Sequence, residues 1–284
     1  MKEINIEFKK SDKSEVALLM TVYIKTNASW LNDALESIYN QTLKPNELIL
    51  VADGMLTESH YNVIDKWKEL FGHGFHLLQL EANVGLPKAL NIGLNKCRSN
   101  LVARMDADDV MVPDRLEKQV SFFKYNSVDV VGSWLEEFDE NMKISLGLRK
   151  VEKTHEEITA FAKWRCPMNH MSVMYKKEAV ANVGGYNEKM KRSQDYVLWC
   201  TLIKEGYVFA NIQEPLIKAR TSKDFYRKRN NASVIKYDFK LRKHMYDIGF
   251  VNVFEFGLGL IFRITIRIVP QRIVKKIYQN LRHN

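Results

Sequence analysis

In the first 130 positions the apolar residues come in short runs set between amphipathic segments. VALLMTVYI (16–24), ELILVAD (47–53), FHLLQLE (75–81) and LVARMD (101–106) are of strand length and rich in Val, Ile and Leu. Nearly continuous apolar runs of this kind fit strands buried on both faces. Helical periodicity follows each: WLNDALESIYNQ (30–41), a stretch across 58 to 70, another from about 87 to 97, and DRLEKQVSFFKYN (114–126) behind Pro113. Asn27 and Ser29 stand where the first helix needs a cap. Four strand-to-helix units in series predict a parallel, doubly wound α/β sheet, in which ligands bind beyond the carboxyl ends of the strands. Asp53, Asp106 and the turn after Glu81 fall at such ends.

From about Val128 the pattern loosens. Strands are expected over VDVVGSWLEEF (128–138), HMSVMYK (170–176) and YVFANI (207–212), and helices over HEEITAFAKW (155–164) and SQDYVLWCTLIKEG (193–206). These read as the second half of the same domain, giving one unit over residues 1–220. Residues 221–284 form an extension with a long basic helix, about 225 to 246, and an amphipathic tail. In the tail Asn252, Glu255, Gly259, Arg263 and Arg267 recur three and four apart, one polar stripe on a helix otherwise made of Val, Phe, Leu and Ile. Such a helix lies in a membrane interface, apolar face down, or packs on the domain or a partner subunit. Its uncharged runs are far shorter than the roughly 20 residues that span a bilayer.

Charge sharpens the picture. The net charge is +9, but from Lys218 onward there are 16 Lys and Arg against 4 Asp and Glu, leaving residues 1–217 at 27 against 30. A main fold that is slightly acidic argues against nucleic acid as partner, and the basic tail, with Arg272, Lys275, Lys276 and Arg282 near its end, points to an anionic membrane surface or acceptor. Three cysteines without CxxC spacing fit a reducing cytosol, and the polar N-terminal stretch MKEINIEFKKSDKSE has no apolar core of a secretory signal.

The candidate chemistry gathers at RMDADD (104–109). In an extended segment residues i and i+2 point the same way, so Asp106 and Asp108 offer two carboxylates to one side. That is a hold for magnesium or manganese, whose remaining positions go to water and phosphate oxygens; an acidic loop ahead of the next helix is the plainer alternative. Asp53, followed by Gly54, is either a ribose or base contact or a turn residue. NVGLPK (83–88) is a helix entry whose backbone N–H groups and Lys could meet phosphate. Trp164, Trp199 and Met168, Met171 and Met174 read as core. Arg220, Arg227 and Arg229 either close over a diphosphate or form a solvated basic face.

Together, MTVYIKTNASWLNDALESIYNQT, LILVADG, NVGLPKALNIGL, ARMDADDVMVPDRLEKQ and SQDYVLW resemble, in order and spacing, glycosyltransferase family 2, across about residues 18 to 220. The resemblance is strongest to bacterial enzymes that build O-antigen or capsule repeat units. It implies a GT-A fold, α/β with a mostly parallel, Rossmann-like central sheet flanked by helices, here followed by the amphipathic helical extension. It implies an inverting, metal-dependent hexosyltransferase that uses a UDP-sugar and a lipid-diphosphate-linked saccharide acceptor. Such an enzyme works as a peripheral protein on the cytoplasmic face of the bacterial membrane.

Residue by residue, the resemblance places Tyr23 at the nucleotide base and Asp53 at the uracil or ribose. Asn83 and Gly85 lie beside the nucleotide, and Arg104 enters the metal motif. Asp106 reaches ribose and metal, and Asp108 ligates the Mn2+ or Mg2+; Asp109, to which the resemblance gives no role, reads as a residue that helps begin the next helix. Asp195, after Gln194, becomes the general base, in the first turn of a helix that Ser193 is placed to cap and whose dipole favours the ionised carboxylate. Gln194 and His170 would face the acceptor. The family often has a second acidic residue after the Asp53 position, as in DDGS, where this chain reads ADGM. That departure keeps open a non-catalytic nucleotide-sugar-binding assembly protein of the same fold. A phosphotransferase with Asp106 as nucleophile is more remote, and a NAD enzyme more remote still, because no GxGxxG follows the first strand.

Overall fold

The computed structural model describes residues 15–221 and 233–268. The anticipated alternation is present: β1 (Val16–Val22), α1 (Ala28–Tyr39), β2 (Glu47–Ala52), α2 (Glu58–Phe71), β3 (Phe75–Gln79), α3 (Leu86–Lys96), β4 (Leu101–Asp106), β5 (Val110–Met111) and α4 (Arg115–Tyr125). Asn27 caps α1, its side chain accepting the Ser29 N–H at 2.8 Å. Beyond α4 come β6 (Val130–Phe138), β7 (Ser145–Arg149), α5 (His155–Ala162), β8 (Met174–Lys176), α6 (Lys177–Asn182), α7 (Gln194–Lys204) and β9 (Phe209–Arg220). Two further helices close the described chain, α8 (Ser233–Asp247) and α9 (Val253–Ile268).

The strands form one sheet in the order β3-β2-β1-β4-β8-β6-β9-β5, with β7 on β6. The first four are parallel, as the pattern predicts, and so are β6 and β9. The second half is where the sheet is mostly and not wholly parallel, as expected: β8 is antiparallel to both β4 and β6. A three-residue strand reached through a 3₁₀ turn needs no crossover helix, so it can enter antiparallel. The result is a mixed α/β architecture in which the long ladders are parallel.

Period two divides the strands between two cores. Ala17, Leu19, Ile49 and Val51 pack on α3 and the α5 to α7 side, while Leu18, Met20, Leu48 and Leu50 pack on α1, α2 and α4. Each fully buried Leu or Ile contributes about 1.5–3 kcal/mol. Trp199, Met168 and Met174 are core, as read from sequence, whereas Trp164 is 38% exposed. Leu241 and Met245 of α8 are fully buried in the same cluster as α7, so the C-terminal helices share the core. Cys97, Cys166 and Cys200 are all unpaired.

Candidate active site

Parallel pairing aligns the carboxyl ends of β2, β1 and β4: Val22 is level with Ala52, and Thr21 with Asp106. Tyr23 therefore lies just beyond β1, between the ends that lead to Asp53 and Asp106. It is 45% exposed, in a turn closed by the Thr26 N–H donating to its carbonyl.

Asp53 and Asn83–Gly85 are in direct contact. Oδ1 of Asp53 accepts the Val84 N–H at 2.7 Å, and Oδ2 accepts the Gly85 N–H at 3.1 Å and the Asn83 side-chain amide at 3.0 Å. The carboxylate is buried and acts as a brace for the loop that opens α3. Gly54 permits the approach, since a Cβ there would lie 2.8 Å from the Asn83 nitrogen. Gly85, at φ +90°, starts the helix in a conformation that favours glycine.

Asp106, Asp108 and Asp109 present oxygens that all lie within 4.8 Å of one another. Asp106 and Asp108 are partly exposed and Asp109 is buried. Burial, with Asp106 beside it, pushes the Asp108 carboxyl up to about 6. Burial, with Asp108 and Asp106 nearby, pushes Asp109 well above the carboxylate range. Asp109 Oδ2 is buried without a hydrogen-bond partner among the described residues. Hard oxygen donors, surplus negative charge and an orphaned buried oxygen fit a divalent cation, which would reverse the sign of these shifts.

Asp109 does not begin a helix. Its Oδ1 accepts the Arg220 N–H at 2.9 Å, and α4 starts six residues later behind Asp114. Arg220, the last residue of β9, is neither solvated nor loose. Its guanidinium pairs with Asp33, donates to the Asp108 carbonyl at 2.5 Å and lies over the Trp30 ring. It fixes the acidic loop from behind. Arg227 and Arg229 lie outside the described residues.

Arg104 is fully buried and pairs with Asp106. Its Nε and Nη1 have no partner among the described residues, and its charge acts on both Asp195 and His170. The carboxylate cluster and the acceptor-side candidates thus share one charged group. His170 Nε2 bonds the Tyr186 hydroxyl at 2.9 Å, with Trp199 edge-on to its ring. Burial, helped by Arg104, holds its pKa well below the ordinary value, so the imidazole is neutral at pH 7.

Asp195 is in the first turn of α7 and Gln194 is buried at its start. Two local expectations fail. Ser193 does not cap: it is left-handed, at φ 57°, and makes no side-chain cap bond; capping hydroxyls normally need an extended backbone. Nor does the helix end lower the Asp195 pKa overall. Burial raises it, outweighing the backbone N–H groups, the Arg104 charge and the Cys166 thiol, which donates at 3.8 Å.

Sequence reading passed over several supports of the site. Arg115 donates to the Arg104 carbonyl at 2.7 Å, and Gln119, one turn on, accepts from its Nε at 3.0 Å. Asn91 makes paired 2.8 Å bonds to the backbone of Tyr186, tying α3 to the His170 surroundings. His60 joins α2 to the carbonyl of Thr26. The only sequence signal for the first pair is two polar groups four apart flanking a buried Leu116.

Comparisons with known proteins bear on family and fold. The model of the family described as Glycosyl transferase family 2 matches residues 18–184. A UDP-Gal:alpha-D-GlcNAc-diphosphoundecaprenol beta-1,3-galactosyltransferase of Escherichia coli is 34% identical over 271 residues, covering 95% of this chain and 97% of that one. The amylovoran biosynthesis glycosyltransferase AmsE of Erwinia amylovora is 33% identical, covering 93% and 97%. Among solved structures, Staphylococcus aureus TarS (1–349) superposes with a TM-score of 0.65 at 16% identity, covering 88% of this chain and 71% of that one, a likeness of fold.

Proposed function

The chain belongs to glycosyltransferase family 2, and from that premise we propose that it moves a hexose from a UDP-sugar, with inversion, to a saccharide on a lipid diphosphate. The setting is O-antigen or capsular polysaccharide assembly at the cytoplasmic face of a bacterial membrane, where the enzyme works as a peripheral protein. The observation that carries the reading is the shared buried charge: Arg104 pairs with Asp106 of the acidic cluster and acts on Asp195. Donor phosphates and an acceptor hydroxyl would meet across that group. The Escherichia coli relative named above supports both substrate classes, and AmsE supports the polysaccharide setting.

Tyr23 offers its ring to the uracil. Asp53 holds the Asn83–Gly85 loop in the shape that borders the nucleotide. Asp106 and Asp108 would hold a magnesium or manganese ion, which supplies counter-charge to the diphosphate. Asp195 takes the proton from the acceptor hydroxyl as its oxygen bonds the anomeric carbon and the bond to the UDP oxygen breaks. A neutral His170 orients the acceptor without adding charge.

The test is a screen of UDP-sugars with manganese and a GlcNAc-diphosphate-lipid analogue, reading UDP release and a new disaccharide. Asp108→Ala and Asp195→Ala should each abolish transfer while the far-ultraviolet spectrum is unchanged. Full activity in either variant would sink the assignment of roles. Binding of UDP-sugar by calorimetry with no turnover for any acceptor would favour the non-catalytic reading instead.

A further inference from the structure

We propose that the outward face of α9, with the adjoining exposed side of α8, is a docking surface for an anionic lipid bilayer, built so that the Asp195 side of the site borders the bilayer. It rests on the lipid-linked acceptor of the preceding section for its purpose, but not for its geometry.

The helix is amphipathic in the inverse sense. Glu255, Gly259 and Arg263 of its polar stripe turn into the protein: Glu255 pairs with Lys163 at 2.6 Å, and Arg263 pairs with Asp238 at 2.8 Å while lying over the Tyr196 ring. Between them Gly259 admits the Arg242 guanidinium so closely that a Cβ there would be 2.3 Å from its carbon. That guanidinium donates to the Glu255 and Lys163 carbonyls, tying both α9 and the end of α5 to α8. Consequently the apolar side is left outside. Val253 and Phe254 are each 71% exposed, Ile261 63%, Phe262 47% and Leu258 42%. From Phe254 through Leu258 to Ile261 and Phe262 the spacing is that of one helical face. A contiguous apolar face of this kind marks a surface awaiting a partner.

Charge selects which partner. The chain from Lys218 onward carries a net +12, and Lys236, Lys240 and Lys243 are exposed along α8 four and three apart. A second copy would set like charge against like, whereas an anionic headgroup layer neutralises it, and shallow insertion needs no spanning helix. Among the described residues, no helix is long and apolar enough to cross a membrane.

Position supplies the link to chemistry. Arg263 touches Tyr196, which follows Asp195 in the first turn of α7, and Glu255 holds Lys163, three residues before the Cys166 that donates to Asp195. The docking face and the base are therefore parts of one braced frame, which lets a lipid-carried hydroxyl enter from the membrane side.

Co-sedimentation of the full chain with phosphatidylglycerol-containing vesicles, against pure phosphatidylcholine, tests this. Wild type should bind the anionic vesicles, and raising the salt to about 0.5 M should release most of it. The triple variant Phe254→Ser/Ile261→Ser/Phe262→Ser should bind at least about tenfold more weakly, with unchanged melting and unchanged transfer to a water-soluble acceptor. Phe262→Trp, which keeps the face apolar, should show a blue shift and quenching by brominated lipid. Wild type that stays in the supernatant, a triple variant that binds like wild type, or a vesicle-free dimer that the triple variant dissolves would each overturn the proposal. Vesicle binding that follows this pattern without transfer to any acceptor would leave the docking surface standing and remove the transferase reading.

Discussion

Polar groups enter apolar surroundings at two ends of this molecule, and they do so for opposite reasons. At the carboxyl ends of β2 and β4 the charged residues are where strands stop, and their partners come from a neighbouring loop or the same strand: Asp53 with Asn83–Gly85, and Asp106 with Arg104. Around α7, α8 and α9 the charged residues sit inside helices, and their partners come from other helices: Glu255 with Lys163, and Arg263 with Asp238 and Tyr196. The position of the acidic groups at strand ends follows from local sequence, because a strand terminus brings its last side chains to the sheet edge. The helical one requires the tertiary fold, and there polarity inverts.

The largest effect should come from Asp195→Asn, which keeps the shape of the side chain and removes the base. Turnover should fall by about 10²–10⁴-fold, with the melting temperature within a degree or two of wild type. A rate unchanged by the substitution would mean that this helix end is structural, like the rest of its region.

Next, Asp53→Ala should leave the Val84 and Gly85 N–H groups without their acceptor, costing about 1–3 kcal/mol in denaturant unfolding and raising the KM for donor. A KM change with no loss of stability would make Asp53 a nucleotide contact and not a brace. Comparable in size but at the other end, Gly259→Leu should expel the Arg242 guanidinium from the helix interface at about 1–3 kcal/mol. It should leave the KM for donor unchanged, so equal effects on both would erase the distinction between the two regions.

A smaller shift is expected in pH dependence. The folded Asp195 pKa is raised by burial, so the carboxyl takes up its proton at higher pH than a free aspartate, and kcat should fall on acidification through a value above the ordinary one. Because the Cys166 thiol lowers that pKa, Cys166→Ala should move the acid limb further up, read from kcat against pH; a downward move contradicts the hydrogen bond. Smallest of all, Lys243→Ala removes an exposed i,i+4 pair with Asp247 and should cost no more than about 0.3–0.5 kcal/mol.

Legibility in the sequence follows the same division. β1 to β4 and their helices lie within a few residues of where periodicity places them; β1, β2 and β4 are buried on both faces, while β3 is a half-buried edge strand. β7 was invisible: SLGLR is exposed or half-buried and pairs only with β6. β9 runs eight residues past Ile212, through Pro215, which usually argues against a central strand. The sheet accommodates it at a register shift opposite Trp134. At the candidate site, the motif order pointed to the acidic cluster, but the burial of Asp109 and the tethering of Arg220 to Asp33 depend on segments more than 100 residues apart.

By itself, the sequence determined the alternation of elements, the edge of the sheet where the acidic groups collect and the periodic stripe on α9, because these depend on side-chain spacing along one segment. The tertiary structure alone decided that Asp53 braces its own loop and that, at Asp195, desolvation outweighs helix-end stabilisation. It also decided that Glu255, Gly259 and Arg263 of the α9 stripe face inward. Each of these outcomes is a competition between desolvation and partners supplied from distant parts of the chain, and no local pattern encodes who those partners are.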